Sequence, residues 1–245
     1  MLEGLYSAAA GMAAQQQRID AVSNDIANVS TAGYKKTRLA FRDLAYAAEP
    51  TGNNVRAGAG SATAWASRSQ NPGAIQQTEQ PLDVAIVGNG YLQVRRPDGR
   101  TGLTRQGALH LNNERELVTV AGDRLIPNVK VPADVDVNDL AIGPDGTISA
   151  PGAAGPLALG KITLRDVPAP AGLQDIGQSV AVPTAASGAT RAATGTLQQH
   201  ALEQSNVDMA DEMTELVEAQ RAYSMTSKVI QTQDQLMEIA NGVKR

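Results

Sequence analysis

Apolar residues recur every seven positions at both ends of this 245-residue chain, and the middle lacks the pattern. Near the start the row is Leu5, Met12, Ile19 and Ile26, with Ala8, Gln15, Val22 and Val29 offset by three. Near the end it is Met209, Leu216, Tyr223, Ile230 and Met237, flanked by Ala222, Val229, Leu236 and Val243. A seven-residue repeat with a second apolar row beside it is a narrow helical seam of the coiled-coil kind. Two such seams on one chain are built to lie along other helices. That predicts an assembly part before it predicts an enzyme.

The first helix should run from about Leu2 to Asn28, stopped by Thr31, Ala32 and Gly33, with Gly33 as the left-handed residue beyond the helix end. Gly4 and Gly11 lie inside it and each costs about 1 kcal/mol relative to Ala. Such a helix is weak alone, and both chain ends should stay unprotected until assembly supplies partners. The last helix opens at Ser205-Asn206-Val207-Asp208, a capping-box pattern with Ser205 as cap, and closes at Asn241-Gly242. It would be about 54 Å long.

Between the ends, 34–81 reads as an extended connector, basic at first and rich in Gly, Ala, Ser and Asn over 49–73. From Leu82 short strands follow: 82–87, 91–95, 103–105, 109–111, 117–120, 125–126, 140–142, 147–149 and 161–167. Turn signals at Gly88-Asn89-Gly90, Pro97-Asp98-Gly99, Asn112-Asn113 and Pro144-Asp145-Gly146 separate them. Residues 168–204 hold Pro, Ala, Gly, Ser and Thr and read as a second connector. The expected fold is α+β, with long N- and C-terminal coiled-coil-like helices (1–33 and 205–245) flanking a central all-β domain (82–167).

Composition narrows the chemistry. Aromatics are 3 %, so the core must be built from Ala, Val, Leu and Ile. A formal charge of -4 argues against a nucleic-acid partner, which wants a broad basic surface. With no cysteine, disulfides, thiolate catalysis and cysteine metal sites are excluded. His110 and His200 form no His-x-x-x-His pair, and His110 between two leucines reads as a solvated strand position. Gly88-Asn89-Gly90 lacks the third glycine of a dinucleotide loop, and no Gly-x-Ser-x-Gly elbow occurs. No catalytic, cofactor or metal site is expected. No stretch reaches the roughly 18 apolar residues of a membrane span, and Glu3 as the first charge does not suit a cleaved signal.

Charge is unevenly placed. Glu203, Asp208, Asp211, Glu212, Glu215 and Glu218 form an acidic block, whereas Lys35, Lys36, Arg38 and Arg42 form a basic one. Acids favour a helix start because of its dipole, which accounts for Asp208, Asp211 and Glu212 alone. Pairing of the two blocks, within or between chains, is the other reading; Lys35, Lys36, Arg38 and Arg42 would face Asp211, Glu212, Glu215 and Glu218, on a neighbouring subunit before the same one.

Three separated motifs resemble one family. Ala27-Asn28-Val29-Ser30-Thr31-Ala32-Gly33-Tyr34-Lys35 is similar to the segment after the N-terminal helix of bacterial flagellar rod and hook proteins. Leu82-Asp83-Val84-Ala85-Ile86, Gly88-Asn89-Gly90-Tyr91 and Thr104-Arg105-x-Gly107 resemble the middle of those proteins. Ser205-Asn206-Val207-Asp208, Glu218-Ala219-Gln220-Arg221-Ala222-Tyr223 and Ser227-Lys228-Val229-Ile230 resemble their C-terminal helix. Gln70 to Thr78, after a Gly-rich connector, is most similar to the distal-rod branch, with the proximal-rod branch second. Tyr34 and Tyr91 stand where Phe is common.

The resemblance implies a structural subunit that polymerises through its terminal helices into a hollow helical rod of the flagellar basal body. It would transmit torque to the hook and would be exported through the flagellar export apparatus without a cleaved signal peptide. Its partners would be copies of itself and adjacent rod and hook proteins. The expected assembly residues are Leu5, Met12, Ile19, Val22, Ile26, Asn28, Thr31, Gly33, Tyr34, Lys35, Lys36, Met209, Leu216, Tyr223, Val229, Ile230, Leu236 and Met237. Two rivals are a closed coiled-coil adhesin with β heads and a binding or hydrolase module carried on helical stalks.

Overall fold

The computed structural model describes residues 2–44, 60–152 and 157–243. It contains two compact units: Met1–Ala27 with Thr37–Arg68 and Asp208–Arg245, and Asn28–Lys36 with Ser69–Val207. The α+β class holds, with one long helix near each end of the chain and strands between them.

In the first unit, helix α1 (Leu2–Ala27), hairpin strands β1 (Thr37–Asp43) and β2 (Ser61–Arg68) and helix α2 (Met209–Val243) pack together. The helices run antiparallel. A Cβ added at Gly4 would lie 3.7 Å from Gln233 Oε1, one at Gly11 would lie 3.9 Å from Thr226 Cγ2, and Arg18 Nε meets Glu215 Oε1 at 2.9 Å. Steps of seven up α1 thus match a descent along α2. Each helix has the other as a partner within the chain, against the expectation of ends that wait for assembly. Both glycines leave ordinary contact distance for a methyl group, so Gly11→Ala should stabilise by about 0.5–1 kcal/mol through helix propensity. A higher midpoint of the helical signal on heating would show it.

The other side of α1 carries the hairpin. Thr37 N–H donates to both carboxylate oxygens of buried Asp25, at 2.9 and 3.2 Å. Thr63 Oγ1 donates to Gln17 Oε1. β1 and β2 are antiparallel, with a bulge between Ala40 and Phe41. An extended connector over 34–81 is therefore corrected: much of it is a paired hairpin. The Ser-Ala-Thr-Ala-Trp-Ala-Ser-Arg run of β2 carries too little apolar alternation to look like a strand alone. Residues 45–59 lie outside the described ones.

Helix α2 starts later than expected. Asp208 is the cap, its Oδ1 accepting from Ala210 N at 2.8 Å and Asp211 N at 3.3 Å. Ser205 Oγ instead accepts from Val207 N in the turn before it.

The second unit is antiparallel β. Its main sheet runs Gln174–Asp175, Val180–Val182, Thr101–Thr104, Tyr91–Arg95, Arg124–Leu125, Leu117–Thr119, Leu109–Leu111, with Leu164–Asp166 and Arg191–Ala192 attached beside it. Val84–Val87 pairs with Thr196–Gln199, and Ile75–Gln77 with Ala201–Glu203. The strand expected over 161–167 is divided between Leu157–Lys161 and Leu164–Asp166, and the one over 82–87 begins at Val84. Residues 168–204, read as a connector, supply five strands to these ladders. Val180–Val182, Thr196–Gln199 and Ala201–Glu203 pair with strands far away in sequence, so no local pattern announces them. The core is aliphatic, including Leu82, Val84, Ile86, Leu92, Leu117 and Leu125, as the scarcity of aromatics requires.

One buried acid works against this unit. Asp123 is 1 % exposed, and neither carboxylate oxygen has a hydrogen-bond partner among the described residues. Arg96 Nε is 3.8 Å away. Burial raises the Asp123 pKa above its ordinary 3.8, with Arg96 opposing less strongly. A raised folded-state pKa means that ionisation costs stability: the cost is absent below the unfolded value and grows as pH rises through the folded one. Asp123→Asn should therefore raise the urea midpoint at pH 7, and the gain should close as pH falls toward 4.

Candidate assembly site

The expected assembly residues separate into two groups, one in each unit. The first lies on the helices. Leu5, Met12, Ile19 and Ile26 are half-buried and Val22 is buried. On α2, buried Glu212 and Ala219 share a face with half-buried Leu216, Thr226, Ile230, Gln233 and Met237. Gln233 and Thr226 place that face against α1. Leu216, Ile230 and Met237 thus lie on the intramolecular side.

The opposite side of α2 stays exposed. Met225 is 64 % exposed, Val229 53 %, Leu236 54 % and Ile239 63 %, with Met213 and Val217 extending the strip. Of the expected residues, Val229 and Leu236 lie on it, while Met209 and Tyr223 fall in the seven-residue row of Leu216 and Ile230 and are nonetheless exposed. Met213, Val217, Met225 and Ile239 were not singled out by the heptad rows. Their signal was available as spacings of three and four residues.

The second group is in the β unit. Thr31 Oγ1 donates to Asn28 Oδ1 at 3.2 Å, and Gly33 takes φ +69°. Its N–H donates to Glu203 O at 2.7 Å, and a Cβ there would lie 2.8 Å from the Arg105 carbonyl carbon. Tyr34 is buried. Lys35 Nζ reaches Glu203 Oε1 at 2.6 Å and Asn71 O at 2.8 Å, and Lys36 N–H donates to Asn206 Oδ1 at 2.7 Å. Arg105 Nε meets Glu203 Oε2 at 2.8 Å, its Nη2 donates to Gly88 O, and its guanidinium lies over the Tyr91 ring. Tyr91 Oη donates to Gln70 Oε1 at 2.7 Å, a use for the hydroxyl that Phe would lack.

Glu203 is the centre of this network. Burial alone would raise its carboxyl, but Lys35, Arg105 and the Gly73 amide together hold it below the ordinary carboxylate range. One acid facing two cations leaves Lys35 less well served, and burial pushes its ammonium below the ordinary value. Lys35 meets Glu203 within the β unit, whereas Glu215 and Glu218 meet Arg18 of α1, at 2.9 and 3.9 Å. Arg38 and Arg42 are exposed. His110 is exposed on its strand, and among the described residues no group of three His, Asp or Glu could hold a metal ion.

Comparison with known proteins shows what these motifs belong to. The chain is 38 % identical to a flagellar basal-body rod protein FlgG of Borreliella burgdorferi, over the whole of both chains. The chain belongs to the flagellar basal-body rod protein family, FlgG type. It is 36 % identical to FlgG of Caulobacter vibrioides over 99 % of this chain, and 34 % identical to FlgG of Bacillus subtilis over all of it. Three family models cover this rod protein in succession. Residues 5–35 match flagella basal body rod protein, 85–150 the flagellar hook protein FlgE/F/G D1 domain, and 198–243 the flagellar basal body rod FlgEFG protein C-terminal region. The first match ends at Lys35 and the last contains Glu203, so the Lys35–Glu203 ion pair joins two of the matched regions.

Proposed function

We propose that this structural subunit of the flagellar rod polymerises with copies of itself through its terminal helices and passes torque along the resulting shaft. Membership of the rod family supports the structural role and a place in the basal body among other rod and hook proteins. The observation that carries the assembly mode is the exposed apolar strip of α2. Met225, Val229 and Leu236 face away from α1, and an apolar strip of this length is more than a lone soluble helix needs. The same face on identical subunits, met in a heterologous contact that does not close, gives a filament. Residues 28–36 with 203–206 would stiffen each subunit. Export through the flagellar apparatus with an uncleaved N-terminus, and a rod crossing the periplasm, belong to the same reading. No helix among the described residues is long and apolar enough to cross a membrane.

The test is Val229→Asp with Leu236→Asp. Both positions are exposed, so the monomer should keep its helical signal and its melting midpoint. Filament formation on concentration should be lost, because each buried apolar side chain contributes about 1.5–3 kcal/mol and an interfacial carboxylate opposes contact. Asp234→Lys, exposed and polar, is the control. Filaments from the double variant at wild-type concentration would remove the strip from the interface.

A further inference from the structure

The strand Ala201–Glu203 pairs with Ile75–Gln77 over three residues, and every side chain of Ile75–Gln77 is exposed. Register in an antiparallel pair is ordinarily fixed by the face that is buried. Here one strand has no buried face to fix it. A slip of two residues would keep each side chain on its own side of the ladder, yet move the chain by about 7 Å.

Two features oppose such a slip. The Glu203 carboxylate, on a side chain 1 % exposed, accepts from Lys35 Nζ, Arg105 Nε and Gly73 N at 2.6, 2.8 and 2.9 Å. After a slip, Ala201 or Ser205 would stand there, and two poorly exposed cations would lose their acid. Breaking a buried pair costs far more than the intact pair contributes, so such pairs serve specificity better than stability. The second feature is steric. A Cβ on Gly73 would come within 1.9 Å of Gln204 O, so this register brings the two backbones together where only glycine fits.

We infer that Glu203 is a positioning residue that locks the register of this ladder and so fixes the point at which the chain leaves the β unit for α2. The helix cap, Asp208, follows five residues later. The lock itself stands on the β unit alone; its consequence for assembly rests on the proposed function.

The chain has no cysteine, so Gln76→Cys with Leu202→Cys creates a single possible disulfide. Bonds from Gln204 N to Ala74 O and from Thr78 N to His200 O flank residues 76 and 202 as a hydrogen-bonded pair. Their Cα atoms are then about 5.5 Å apart, within disulfide reach. In full-length monomeric Glu203→Gln, the amides of Gly33, Thr78 and Gln204 should exchange about tenfold faster or more, while Leu92 and Val94 keep their protection. Filament formation should fall. Adding the 76–202 disulfide should restore protection at Thr78 and Gln204 and, with it, filaments. Lys35→Met, which keeps the Arg105 pair, is the milder variant with the same local pattern expected should Glu203→Gln fail to fold. Unchanged exchange at the three amides, equal loss at Leu92 and Val94, or no rescue by the disulfide would each overturn the lock. A wild-type protein that forms no filaments would instead count against the assembly reading, with the exchange results still deciding the lock.

Discussion

Gly107→Ala should keep the β unit from reaching its native packing. Gly107 O accepts from Val84 N at 3.0 Å, which ties the loop after Thr101–Thr104 to the start of Val84–Val87. A Cβ at position 107 would fall 1.7 Å from Val84 O and 3.2 Å from a methyl of the Val84 side chain. The first is a backbone atom of a core strand and cannot swing aside as a side chain would. Val84 is itself fully buried among Leu82, Ile86 and Leu109. The loss should reach about 3 kcal/mol, the upper part of the overpacking range. For a chain of this size that is a fall of roughly 6–12 °C in Tm. Gly99→Ala separates crowding from backbone conformation. Gly99 has φ +83° but nothing within 4 Å of an added Cβ, so it should lose only about 1–2 kcal/mol. Equal melting of the two variants would show that the close approach at Gly107 does not matter.

Ile230→Asp should release α2 from α1 within a single molecule. Ile230 shares the face of Ala219, Thr226 and Gln233, the last two of which lie against Gly11 and Gly4. A carboxylate there loses the apolar contact and is drawn from water without a partner, on the order of 2–3 kcal/mol for a half-buried site. Val229→Asp, one residue away, points to the exposed side and should leave the monomer unchanged. Hydrogen exchange along α2 reads the difference: faster in Ile230→Asp, as in wild type in Val229→Asp. From the heptad rows alone, both residues belonged to one seam. The pairing of the helices divides them, and with them the two ways of preventing a rod.

Much of the chain could be read in advance because the signals are local. Gly33 ends the segment after α1 in a left-handed conformation that a nearby Cβ clash would also forbid to other residues. Gly99 and Gly146 take positive φ at the turns their Asp-Gly sequences announce. Tyr91–Arg95 and Leu109–Leu111 carry enough apolar alternation to declare themselves as strands. The seven-residue rows placed both helices because a helix repeats its contacts within a few residues, whatever those contacts prove to be.

What lay beyond the sequence is what depends on partners distant along the chain. β2 is a strand because β1 hydrogen-bonds to it and α1 covers it, not because Ala, Ser and Thr favour one. Thr196–Gln199 and Ala201–Glu203 exist as additions to strands more than 100 residues earlier, Val84–Val87 and Ile75–Gln77. Glu203 looked like one acid in a block, and only the fold brings Lys35, 168 positions away, to its carboxylate. The same holds for α2. Its sequence by itself determined that apolar rows run along it, since periodicity is a property of the helix. Which row turns inward is decided by the helix it meets, because an apolar face is identified only by what removes it from water.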